Sequence, residues 1–124
     1  MKIIDVIKNR IATMPEIEFA YLFGSYAKGT QHEKSDIDIA VYIKEEYNSF
    51  DTKLKIHHAL EISLYKEIDL VVLNNAKNFF LLEDIFNNNI IIKESQDDAR
   101  VMFELDKEHQ ILDYKAFLRM LDVA

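Results

Sequence analysis

Three runs of β-branched and aromatic residues limit what this chain can fold into: IEFAYLF at 17–23, DIDIAVYI at 36–43 and IDLVVL at 68–73. Each has the length of a strand, and the third reads as buried on both faces after Asp69. The stretches between them have a helical period instead. Ile4, Ile7, Ile11 and Met14 form one apolar stripe, closed by Pro15. A second helix is predicted over 49–65, with Leu54, His57 or His58, Leu60 or Glu61, and Leu64 near one another. Asn78 to Asn87 predicts a third, with Phe79, Leu82, Ile85 and Phe86 on its inner face. A short fourth strand is expected over 89–93, a helix over 96–105, and a last helix whose stripe is Ile111, Tyr114, Leu118 and Leu121. This alternation predicts an α+β fold with a C-terminal helical tail. At 124 residues the chain is long enough for one packed core and too short for two.

Composition excludes several chemistries. There is no cysteine, which removes disulfides, thiol catalysis and thiolate–zinc sites. The net charge is −7 and no basic run occurs, so a nucleic-acid substrate is disfavoured unless a partner supplies the positive surface. The N-terminal stretch carries Asp5, Lys8 and Arg10, unlike a signal peptide, and no apolar run reaches the length of a membrane span. The expectation is a cytoplasmic protein, with no membrane attachment, surrounded by ATP and Mg²⁺.

Both glycines lie in GSYAKGT, at the end of the first strand. Glycine allows close approach to the backbone, and a following helix N-terminus offers free N–H groups to an anion. Ser25 adds a hydroxyl and Lys28 a positive charge, so Gly24, Ser25 and Lys28 could hold a triphosphate tail. A Gly-Ser corner by itself is an ordinary turn. Asp36 and Asp38, two apart in a strand, direct their carboxylates to one face. Paired anions invite a hard divalent cation, although a lone Asp-x-Asp is more often a solvated strand start. Asp69 interrupts the third strand and can join them if the two strands are neighbours, or it simply opens the strand at a solvent edge. Each signal alone is weak.

Their combination is specific. Gly24-Ser25, then Asp36-Ile37-Asp38, then an acid in the next strand resembles the signature of the polymerase-β-like nucleotidyltransferases, over residues 17–73. The tail ARVMFELDKEHQILDYKAFLRML resembles the C-terminus of minimal nucleotidyltransferases encoded beside HEPN-domain proteins, the MntA-type antitoxins. The resemblance implies a nucleotidyltransferase fold with a small mixed sheet flanked by helices, a catalytic core of about residues 1–94 and a helical tail of about 95–124. It implies that Gly24 and Ser25, helped by Lys28, contact the phosphates of ATP. Asp36, Asp38 and Asp69 become the catalytic acids and the ligands of two Mg²⁺ ions, and Asp69 helps deprotonate the acceptor. The antitoxin group often has arginine where Lys28 stands. Lysine keeps the charge without the bidentate fork.

For that group the implied reaction is transfer of AMP to a tyrosine of a cognate HEPN ribonuclease toxin. Two alternatives are an antitoxin that acts by occlusion alone and a small-molecule transferase of the aminoglycoside-modifying type. Other residues read as ordinary. His57 and His58 are adjacent and do not share a helix face, His32 is a solvated loop residue, Tyr26 packs, and Asn87-Asn88-Asn89 is a turn.

Overall fold

A computed structural model describes residues 2–122; Met1, Val123 and Ala124, which the single-domain reading includes, lie outside the described residues. The strands are β1 (Ile17–Phe23), β2 (Ile37–Ile43), β3 (Ile68–Val72) and β4 (Ile90–Lys93). The helices are α1 (Ile3–Ala12), α2 (Ser25–Lys28), α3 (Phe50–Leu64), α4 (Phe79–Asn87) and α5 (Ala99–Leu121). The four-stranded sheet runs β3-β2-β1-β4. β1 is antiparallel to β2 and β4, whereas β2 and β3 are parallel, so the sheet is mixed as expected.

Period-two alternation splits the apolar side chains between two faces. Ala20, Leu22, Ile37, Ile39, Val41, Ile68 and Leu70 face Ile7 and Ile11 of α1 and Ile56 and Leu60 of α3. On the other face Phe19, Tyr21, Phe23 and Ala40 meet Leu82 and Ile85 of α4 and Ile111 of α5. Helices on both sides let β1 and the centre of β2 be buried almost throughout. Truncating any of these large side chains to alanine removes about 2–5 kcal/mol.

Local chemistry sets the ends. Ser49 caps α3 by accepting a hydrogen bond from the Thr52 amide, and Asn78 caps α4 by accepting from Leu81. At the other end of α4 the Asn89 amide donates to the carbonyls of Ile85 and Phe86, so the asparagine run is a helix stop and turn.

Three expectations need correction. Leu54 is exposed, and the buried stripe of α3 runs through Ile56 and Leu60, because α3 meets α1 and the sheet on that side. β3 is an edge strand, so Val71 and Val72 are only partly covered rather than buried on both faces. The two tail helices are one continuous helix, α5. Of its predicted stripe Ile111 is buried, Tyr114 and Leu118 are partly covered, and Leu121 is exposed. The outward side of α5 also exposes Val101, Leu105, Leu112 and Met120. No helix among the described residues is long and apolar enough to cross a membrane.

Candidate active site

The end of β1 turns sharply into α2 at Gly24, whose φ of 71° and ψ of −150° are open essentially to glycine alone. A Cβ at this position would lie 2.1 Å from Oδ2 of Asp38. Glycine is therefore required twice, once by the backbone and once by the carboxylate pressed against it. This contact follows from the register, in which Phe23 pairs with Asp38 across the β1–β2 ladder. Ser25 opens α2 and is half-buried, and the first N–H groups of a helical turn have no acceptor within the helix. Tyr26 packs into the core, as expected.

The parallel β2–β3 ladder places Asp38 directly beside Asp69. Both point to the face that carries α4, because Ala40 and Val71, two residues further along each strand, belong to the cluster on that side. The Asp38 carboxyl is pushed up to about 6, first by burial and then by Asp69, which stands within hydrogen-bonding reach. Asp36 and Asp84 raise it further through their charges. The charges of three other carboxylates thus bear on Asp38.

Asp36 precedes β2 and lines a cleft of about 370 Å³ with Lys34, Tyr65 and Lys66; it is exposed, as is Asp69 on the edge strand, and of the three acids only Asp38 is half-buried. No three His, Asp or Glu side chains among the described residues are gathered closely enough to hold a metal ion. Asp38 and Asp69 are paired in place, and Asp36 stands next to them on the loop side. The donor set nevertheless suits a hard cation: oxygen ligands only, with mutual repulsion that positive charge would relieve. Bound there, a divalent ion would be held by Asp38 and Asp69, with Asp36 as a third ligand.

Lys28 is committed elsewhere in this structure: its Nζ lies 3.7 Å from Oδ1 of Asp84 on α4. Asp84 is thus a member of the site that sequence reasoning missed. Its charge acts on Asp38 and its carboxylate meets Lys28 across long separations in sequence, which leave no local signature. His57 Nε2 donates to the Ile68 carbonyl, 2.7 Å away, and supports β3 from the opposite face, while His58 and His32 are exposed.

A family model described as Polymerase beta, Nucleotidyltransferase matches residues 2–98. The protein adenylyltransferase MntA of Shewanella oneidensis is 33% identical over 97 residues, which is 78% of this chain and 67% of that protein. A toxin–antitoxin crystallised with AMP-PNP contains a similar chain, with TM-score 0.76 and 27% identity over 92% of this chain and 94% of that one. An MNT antitoxin in complex with a tri-AMPylated Shewanella oneidensis HEPN toxin shares the fold, with TM-score 0.72 and 22% identity over 96% and 95% of the two chains.

Proposed function

The chain belongs to the polymerase beta nucleotidyltransferase family, and from that premise we propose an ATP- and Mg²⁺-dependent adenylyltransferase acting on a tyrosine of a cognate HEPN-domain toxin. Modification silences the toxin, which makes this chain an antitoxin. The observation that carries the reading is the pairing of Asp38 with Asp69 against a backbone that only Gly24 can provide. A strand corner without a ligand has no reason to press a half-buried carboxylate, Asp38, against a second one, Asp69. The adenylyltransferase name of the Shewanella relative supports the choice of nucleotide and acceptor class.

Each residue then has a task. The Gly24 turn leaves room for phosphate oxygens, with the Ser25 hydroxyl and the opening amides of α2 as donors. Lys28 exchanges Asp84 for a phosphate oxygen. Asp36, Asp38 and Asp69 would hold two Mg²⁺ ions, which supply charge neutralisation of the triphosphate and a more acidic acceptor hydroxyl. Asp69, on the side away from the phosphate turn, orients the acceptor hydroxyl and takes up its proton. The acceptor oxygen bonds to the α-phosphorus as the bond to the bridging oxygen breaks, and pyrophosphate leaves.

The test uses ATP labelled at the α-phosphate, Mg²⁺ and the purified cognate toxin. Asp38→Asn and Asp69→Asn should each lower label transfer by about a thousandfold or more, while toxin binding persists. Undiminished labelling in either variant would overturn the reading.

A further inference from the structure

The surface beside the acids contains a feature with no structural benefit to explain it. Tyr65 ends α3 with φ of 52°, in the left-handed region, its N–H donating to the Glu61 carbonyl at 2.9 Å. Helices usually place glycine or asparagine there, since a side chain with a Cβ is strained in that conformation. The ring is 92% exposed, so no packing offsets the strain. It stands on the cleft lined by Glu33, Lys34, Ser35, Asp36, Lys66 and Glu67, and the cleft wall is tied across by Lys66 Nζ donating to the Glu33 carbonyl at 3.1 Å.

Position assigns this cleft a side of the reaction. The phosphate turn follows β1, the paired acids sit on β2 and β3, and the cleft lies at the start of β2 and β3. Because β1 and β2 are antiparallel, all three features occupy one end of the sheet: the turn lies on the β1 side of the acids, and the cleft lies in the loops that lead into the two acid-bearing strands, β2 and β3. In-line displacement at phosphorus brings the attacking oxygen in opposite the leaving pyrophosphate. With the pyrophosphate at Gly24, the attacking group arrives from the β3 side.

Resting on the adenylyltransferase reading, we propose that the cleft beneath Tyr65 is the acceptor-docking subsite, which seats the polypeptide segment carrying the reactive hydroxyl. The Tyr65 ring packs against that segment, and Lys34 and Lys66 meet its polar groups. Aromatic side chains of this kind supply contact area at little cost in conformational entropy.

Tyr65→Gly is an informative variant, because glycine suits the left-handed backbone and should leave Tm equal or higher. The expected result is a KM for the cognate HEPN-domain toxin, and a Kd for it in the presence of AMP-PNP and Mg²⁺, raised about tenfold, with the KM for ATP within about twofold. Tyr65→Phe should restore docking. A raised KM for ATP with unchanged toxin affinity would make Tyr65 a nucleotide contact and overturn the proposal, as would no change in either. Should the wild-type chain bind toxin yet transfer no AMP, the adenylyltransferase reading fails and the Tyr65→Gly effect on Kd still decides the docking site. A wild-type chain that does not bind toxin overturns both.

Discussion

Asp38 is held in a position that function explains and stability does not. Its carboxyl is pushed up to about 6 by burial and by the charges of Asp69, Asp36 and Asp84. Between the ordinary value of 3.8 and about 6, the folded chain retains a proton that the unfolded chain has released. Stability therefore falls as pH rises through that window, and the full penalty applies above it. Asp38→Asn should raise Tm in EDTA at pH 7.5 by about 4 °C, corresponding to about 1 kcal/mol once solvent screening is allowed for. The gain should shrink to nothing near pH 4. Thermal unfolding of both proteins from pH 4 to 8 checks this, and a gain independent of pH would mean that repulsion is not its cause. The same substitution should abolish transfer, so the residue that destabilises the fold most plainly is one the proposed chemistry needs.

Among the elements, α5 depends on one polar cluster for its placement. Arg100 donates to Glu94 at 2.8 Å and to Glu104 at 2.9 Å, and Glu104 accepts from the hydroxyl of Tyr21 at 2.5 Å. These bonds join the start of α5 to the centre of the sheet and to the segment after β4. The two bonds to Glu94 and Glu104 keep Arg100 firmly protonated, and burial holds the Tyr21 hydroxyl in its neutral form. Arg100→Gln leaves Glu104 partly buried without its cation, at a cost of about 2 kcal/mol. Tm should fall, and amide exchange should quicken first in residues 99–107; unchanged protection there would show that apolar packing alone seats the helix. None of this cluster is visible in the order of residues, because Tyr21 and Glu104 are 83 positions apart. The strands and the shorter helices were legible, since β-branched runs and apolar stripes report burial directly. The unity of α5 was not. The polar stretch 106–110, DKEHQ, reads as a gap in the apolar stripe, yet it contains no glycine or proline and every residue in it tolerates a helix. Gly24, Asp38 and Asp69 were legible as a set because their spacing reflects neighbouring strand ends, whereas Tyr65 and Asp84 entered the site only through tertiary contact.

At the scale of the molecule, the match to the family stops at residue 98, where α5 begins, and this invites a division into catalytic core and appended tail. Packing argues against a separable tail. Phe103 lies 5.6 Å from Phe19, 5.4 Å from Tyr42 and 6.1 Å from Phe86, ring centre to ring centre, and Ile111 completes the same cluster. Tyr114 meets Phe79 at 5.4 Å, and Lys115 pairs with Glu83 on α4. Without α5, one face of the sheet would lose its cover over Phe19 and Tyr21, and α4 would lose its contacts with Ile111, Tyr114 and Lys115. Burying side chains of this size contributes about 1.5–3 kcal/mol each, so three of them approach the 5–15 kcal/mol that holds a domain together. A chain ending at residue 98 should therefore show no cooperative transition in calorimetry and should bind neither AMP-PNP nor toxin. A sharp transition from that fragment would mean that the sheet, α1, α3 and α4 suffice, and that α5 was added to a core already stable. If the fragment fails to fold, the site and the tail share one unfolding equilibrium, and changes that loosen α5 act on the acids at the sheet end through the rings of Phe19 and Tyr42.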